Sequence, residues 1–143
     1  GGEPLCTLLV DGCSINSKAV VTYVEDKAAP DYDPGHERPK VVGSKTEGAL
    51  LRMAELNFQK DWAARRAALE AVMTKMYMFS SARKMMSVLV ELPGGAGHRL
   101  YVKGASEMIV SKSVAATLEG GEKPLDDALQ GELAAQIHDG DPT

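Results

Sequence analysis

Residues 77–91 read YMFSSARKMMSVLVE. An apolar run breaks into a short polar turn that carries one aromatic ring and two cations, Phe79, Arg83 and Lys84, and then resumes. Apolar residues on both sides of such a turn are the pattern of a β-hairpin. Its tip brings a ring close to fixed positive charge, a pairing suited to a ligand with a flat face and phosphates. An ordinary hairpin, with Phe79 in the core and the cations in water, fits the same residues. The rest of the chain has to decide between the two.

On either side of the hairpin the signals are mostly local. Ser44 followed three residues later by Glu47 has the capping-box pattern, and Ala49, Leu50, Met53, Ala54 and Leu56 supply an apolar face for the helix it opens. The spacing predicts a second helix over 61–73, with Trp62, Leu69, Val72 and Met73 buried and Arg65 and Arg66 on its wet side. After the hairpin, the glycine-rich stretch 93–97 reads as a turn and 98–103 as a strand ended by Gly104. A short helix over 105–114 follows, then a last amphipathic helix over 125–137, with Leu125, Leu129, Leu133 and Ile137 four apart and a start near Asp126. Residues 138–143 read as a frayed tail.

At the other end of the chain, 5–16 is an apolar run ending in the turn signal Asp11-Gly12, and 17–24 holds the β-branched run AVVTYV. These predict two strands, or a strand and an irregular edge. Residues 25–40 carry three prolines among charges and read as a loop that includes a solvated His36. The order of elements predicts an α+β fold, a largely antiparallel sheet flanked by helices.

Composition narrows the function classes. With 143 residues the chain is one domain's worth, and 44% hydrophobic with 25% charged residues is ordinary for a folded protein. A net charge of −4 argues against nucleic acid, whose binders carry a basic excess. Cys6 and Cys13 stand without a second pair or histidines at ligand spacing, so neither a zinc site nor a disulfide framework is expected. No run approaches the roughly 18 apolar residues of a membrane span. Gly1 is not a natural start, and the chain is read as a piece of a longer polypeptide. GSKTEG at 43–48 invites comparison with a P-loop, but no Lys-Ser or Lys-Thr follows Gly48, and the GGAG turn lacks the P-loop lysine. The methionines at 73, 76, 78, 85 and 86 read as packing groups rather than metal ligands.

Three stretches, KTEGALL at 45–51, MFSSARKMMSVLV at 78–90 and YVKGASEMIV at 101–110, stand in an order and spacing that resembles the nucleotide-binding domain of P-type cation pumps. The resemblance runs from about residue 8 to 114. LLVDGCSINS at 8–17 and the FSSARKMMS wording look most like the plasma-membrane-type calcium pumps.

The resemblance implies ATP as ligand and a role for each matching position. Phe79 would stack on adenine, Lys84 would lie beside the nucleotide, Lys103 would sit at the bottom of the pocket, and Glu47 would accept a hydrogen bond near the adenine amino group. Gly104 would let backbone approach the ligand. Thr46 and Arg83 are further candidates, Arg83 being read also as facing water. Glu47 serves equally as a helix cap, Lys103 as a solvated strand-end lysine, and Glu107 as a cap rather than a catalytic acid.

The family transfers the γ-phosphate to an aspartate in a DKTGT motif on a separate domain, and no such motif occurs here. No catalytic or metal-ligating residue is therefore expected in this chain. Magnesium, the phosphorylation and actuator domains and the membrane helices are expected outside it, in a parent protein that presents this domain at the cytosolic face of a membrane, without direct membrane contact. The family also continues past the last helix into a strand that this sequence lacks. An open sheet edge, lower stability or self-association is the expectation that follows. A non-catalytic nucleotide sensor and a protein-interaction module of the same fold are the alternatives.

Overall fold

The computed structural model describes residues 4–119 and 121–139. The chain opens with helix α1 (Leu5–Ile15), where the sequence predicts strands. Tertiary contacts overrule the Asp11-Gly12 turn signal. The Asp11 carboxylate takes a two-pronged bond from Arg65, with both N–O distances 2.7 Å. Gly12 packs so closely that a Cβ there would stand 3.2 Å from the Tyr101 ring.

Strands β1 (Val20–Val24) and β2 (Arg38–Val42) form a two-stranded antiparallel sheet. β2 takes Arg38, Pro39 and Lys40 out of the loop expected over 25–40. A proline is tolerated there because a two-stranded sheet is all edge. His36 is exposed in the loop that remains.

Helix α2 (Lys45–Phe58) begins as read, with the Ser44 hydroxyl accepting from the Glu47 amide. Its buried residues are Gly48, Leu51 and Ala54, while Leu56 is exposed. Gly48 is obligatory at this contact, since a Cβ would lie 2.4 Å from a Val41 methyl. Helix α3 (Trp62–Glu70) is capped by Asp61, which accepts from the Ala64 amide. Its two arginines face inward, against the expectation of a wet side: Arg65 neutralises buried Asp11, and Arg66 donates to the carbonyls of Ser14 and Ala19. Glu55 ties three elements together, accepting from Trp62 Nε1 at 2.9 Å, from Arg52 and from the Tyr23 hydroxyl.

The hairpin is β3 (Met73–Ser80) and β4 (Met85–Glu91), joined antiparallel to β5 (His98–Gly104) through a connection that holds the short 3-10 turn Pro93–Gly95. Strand β4 buries Met86, Val88 and Val90, opposite Lys103, Tyr101 and Arg99 of β5. Beyond β5 come α4 (Ser106–Lys112), a hairpin of β6 (Ala115–Leu118) and β7 (Gly121–Pro124) that the sequence reading missed, and α5 (Asp127–Asp139). Asp126 caps α5 by accepting from the Leu129 amide at 2.8 Å. His138 and Asp139 belong to α5, and the rest of the expected frayed tail lies outside the described residues.

The class is α+β and every strand pairing among the described residues is antiparallel, but their strands fall into three small sheets rather than one. Val10, Ala19, Val21, Leu51, Ala54 and Trp62 make one core cluster, and Ile15, Val88 and Val90 a second. Together they clamp the stretch 14–19, the end of α1 and the loop that leads into β1, between the helices and the three-stranded sheet. No helix among the described residues is long and apolar enough to cross a membrane.

Candidate nucleotide cleft

A cleft of about 500 Å³ opens where the N-terminus of α2 meets the tip of β3 and the end of β5, lined by Ser44, Thr46, Glu47, Leu50, Phe79, Met86, Lys103 and Gly104. Five of the seven sequence-expected residues meet here from three separate stretches. Lys84 and Arg83 stay at the hairpin tip, outside the lining.

Local backbone irregularity aims Phe79. Between the pairs Tyr77–Ser87 and Ser80–Met85, two residues of β3, Met78 and Phe79, face the single residue Met86 of β4. Such a bulge breaks the two-residue alternation and swings a side chain out of its regular direction. Phe79 is left 61% exposed at the cleft mouth, so a flat apolar face laid on the ring would remove apolar area from water.

Gly104 has a requirement different from the one expected. A Cβ at this position would meet the Lys84 carbonyl oxygen at 2.4 Å and Met85 Cβ at 2.8 Å, so the glycine first lets the hairpin tip close onto β5. The Lys84 carbonyl in turn accepts from the Ala105 amide at 3.1 Å. Lys84 itself sits in the left-handed region at φ 53, an uncommon conformation for a side chain that is not Gly, Asn or Asp. The Arg83 guanidinium folds back on the hairpin and donates to the Met78 carbonyl at 2.6 Å.

The floor of the cleft is an ion pair. Lys103 Nζ lies 2.6 Å from Glu47 Oε1 and also donates to the main-chain carbonyl of Asn16. Glu47 Oε2 accepts from the amides of Lys18 and Ala19, each at 3.0 Å. The Glu47 carboxylate therefore does not close the capping box but binds the loop between α1 and β1. Burial alone would raise its pKa, yet the bonds from Lys103, Lys18 and Ala19 outweigh that and hold it below the usual carboxylate range. A carboxylate offers about four lone-pair sites and an ammonium three protons. Three donors on Glu47 and two acceptors on Lys103 leave one place on each for a ligand.

Two residues that brace the cleft escaped the sequence reading. Asn16, 2% exposed, donates from Nδ2 to the carbonyls of Met86 at 3.1 Å and Tyr101 at 3.4 Å. Arg66 holds the same loop from the other side through Ser14 and Ala19 and stacks 4.7 Å from the Trp62 ring. Burial pushes its pKa down, with Glu70 and Glu47 opposing. The only local hint was an asparagine at a helix end, which reads as a cap. Cys13, buried beside this region, has its thiol pushed up by burial and only partly lowered by Lys103, which keeps it in the thiol form. Among the described residues no cluster of three His, Cys, Asp or Glu side chains is placed to hold a metal ion.

Residues 6–139 match the family model of the P-type ATPase cytoplasmic domain N. The chain is 43% identical over 105 residues to the plasma membrane calcium-transporting ATPase 4 of Bos taurus, covering 73% of this chain and 8% of that protein. It is 40% identical over 116 residues to the plasma membrane calcium-transporting ATPase 2 of Oreochromis mossambicus, covering 80% and 10%. To the calcium-transporting ATPase PAT1 of Dictyostelium discoideum it is 39% identical over 123 residues, covering 85% and 10%. The chain thus spans about a tenth of the length of the curated relatives it matches.

Proposed function

The chain belongs to the family of P-type ATPase cytoplasmic N domains, and on that premise we propose that it is the ATP-holding domain of a calcium-transporting pump. The observation that carries this reading is the convergence of Thr46, Glu47, Phe79, Lys103 and Gly104 on one cleft. Adenine would enter between the Phe79 ring and the apolar walls Leu50 and Met86. Stacking of a base on an aromatic contributes roughly 1–3 kcal/mol. At the floor, the free proton of Lys103 and the remaining lone pair of Glu47 would meet the polar edge of the base.

The phosphates would then leave the cleft toward the hairpin tip, where Lys84 can follow them as a mobile point charge. Arg83, tied to Met78, is the weaker candidate for that task. Glu47 is the one carboxylate lining the cleft, and with Lys103, Lys18 and Ala19 on its oxygens and its remaining place turned to the base, the magnesium that accompanies ATP would take its protein ligands from elsewhere. The phosphoryl acceptor would be an aspartate on a separate domain of the parent chain, reached when this domain closes rigidly onto it. The parent would carry the membrane helices and present this domain on the cytosolic side.

Titration of the isotopically labelled chain with ATP tests the reading. The amide signals of Phe79, Lys103 and Lys84 shift in a saturable way at millimolar ATP without hydrolysis, and Phe79→Ala weakens the affinity by roughly tenfold or more. Amide signals that stay in place at millimolar ATP would overturn it.

A further inference from the structure

The stretch 14–19, the end of α1 and the loop into β1, receives cations on its carbonyls from two directions and a carboxylate on its amides, and Asn16 is the residue through which the cleft side of this arrangement passes. We propose that Asn16 is the positioning residue for the Lys103 ammonium. Only its effect on nucleotide affinity rests on the reading above.

Asn16 grips Lys103 at both ends. Lys103 leaves β5 opposite Met86. The Asn16 carboxamide donates to the carbonyl of Met86, its cross-strand partner, and to that of Tyr101, two residues before it on the same strand. Its own main-chain carbonyl then accepts from Lys103 Nζ. The root and the tip of a four-carbon flexible side chain are thereby referred to one buried residue. Glu47 closes the arrangement from α2. Fixing the ammonium before a ligand arrives removes an ordering cost from binding.

The choice of side chain supports the assignment. Asn16 Oδ1 is buried without a hydrogen-bond partner. An unpartnered buried amide oxygen is unfavourable, and a leucine of similar size would avoid it. What leucine lacks is a fork of two N–H donors that spans two strands. Aspartate would turn oxygens toward both carbonyls and repel them. The residue is thus suited to the donors it aims at the strand pair that carries Lys103, at the expense of its own acceptor.

The test begins in the absence of nucleotide. In the native chain the Lys103 ammonium protons exchange slowly with water in nitrogen-detected spectra. In Asn16→Leu and Asn16→Ser the Lys103 signal moves to the position of the exposed lysines while the α3 amide signals stay in place. Affinity for ATP falls about tenfold in Asn16→Leu and in Lys103→Met, and no further in the double variant. An unmoved Lys103 signal in the Asn16 variants, or losses that multiply, overturns the proposal. Should both Asn16 variants fail to fold, Lys103→Met in the otherwise native chain decides. The Ser17 amide, on the same peptide as the Asn16 carbonyl, and the Asn16 Nδ2 signals then shift, and signals that stay put overturn the assignment. A native chain that binds no ATP removes the nucleotide reading, and the ligand-free Lys103 signals still judge this one.

Discussion

Helices α2 and α5 both open on a side-chain cap and both repeat apolar residues at helical spacing, yet α2 buries Leu51 and Ala54 completely while α5 has no buried residue. The contrast extends to their surroundings. Every buried residue of the described chain lies before β5 ends, and the arm formed by α4, β6, β7 and α5 contains none. The four buried polar side chains, Asp11, Ser14, Asn16 and Ser17, gather within the short stretch that the cleft rests on. Amphipathic spacing decides which element forms, and a facing surface decides how much it stabilises. The body has such surfaces, and the candidate site is built where they are tightest.

The largest expected effect tests this directly. Leu51→Ala empties a fully buried position and lowers unfolding stability by about 2–5 kcal/mol. Leu133→Ala, at a half-buried position of the mostly exposed α5, costs under about 1 kcal/mol. Urea unfolding of the two variants, followed by circular dichroism, measures both. Equal losses would break the comparison and show that the arm packs as firmly as the body.

What was legible in the sequence follows the same division. The hairpin tip at 79–84, the cap at Ser44 and the end of β5 at Gly104 are local signals, and they stand where they were read. Helix α1 was missed because Asp11-Gly12 looks like a turn until Arg65, 54 residues away, claims the aspartate. Arg65 and Arg66 looked solvated because their acceptors lie on another helix and its following loop. β6 and β7 were missed because Gly120-Gly121 reads as a break, whereas Gly121 is the first residue of β7.

At the cleft, Phe79 was singled out from the ring and cations of the hairpin tip, while Glu47, Lys103 and Gly104 were brought to the cleft by a family resemblance, not by periodicity or spacing. Asn16 was inside a quoted stretch and still went unnoticed. Its bonds reach 70 and 85 residues along the chain, and no local pattern encodes them. Long-range hydrogen bonds to main-chain carbonyls ask nothing of the acceptor's side chain, so they leave no mark on the partner sequence.

An intermediate effect sharpens the comparison within the body. Glu47→Gln removes the charge that binds Lys103 and the amides of Lys18 and Ala19, and costs about 1–3 kcal/mol at neutral pH. The sign with pH is fixed by the direction of the shift. Burial pushes the Glu47 carboxyl up, but Lys103, Lys18 and Ala19 pull it below its ordinary value of 4.5. Its contribution is therefore complete above that value and is lost as pH falls through the lower folded one. Acid unfolding of the native chain carries this limb, and the Gln variant lacks it. Identical acid profiles would mean that the ion pair at the cleft floor contributes nothing to holding the body together.

The smallest effect lies at the seam between body and arm. Lys84 holds φ 53, and its carbonyl accepts from Ala105, the residue just before α4. A side chain in the left-handed region costs about 1–2 kcal/mol, which glycine would relieve. Glycine also gives the unfolded chain more freedom, which offsets about 0.5–1 kcal/mol of that relief. Lys84→Gly should thus stabilise the protein by about 0.5–1 kcal/mol, since the carbonyl to Ala105 and the approach to Gly104 are main-chain features that the substitution keeps. The same variant should bind ATP more weakly, because the cation at the hairpin tip is gone. Stability rising while affinity falls would mark Lys84 as a residue kept for its charge in a place that favours glycine. Loss of both would instead show that the lysine side chain makes stabilising contacts across the seam, and would tie the arm to the body more closely than their burial suggests.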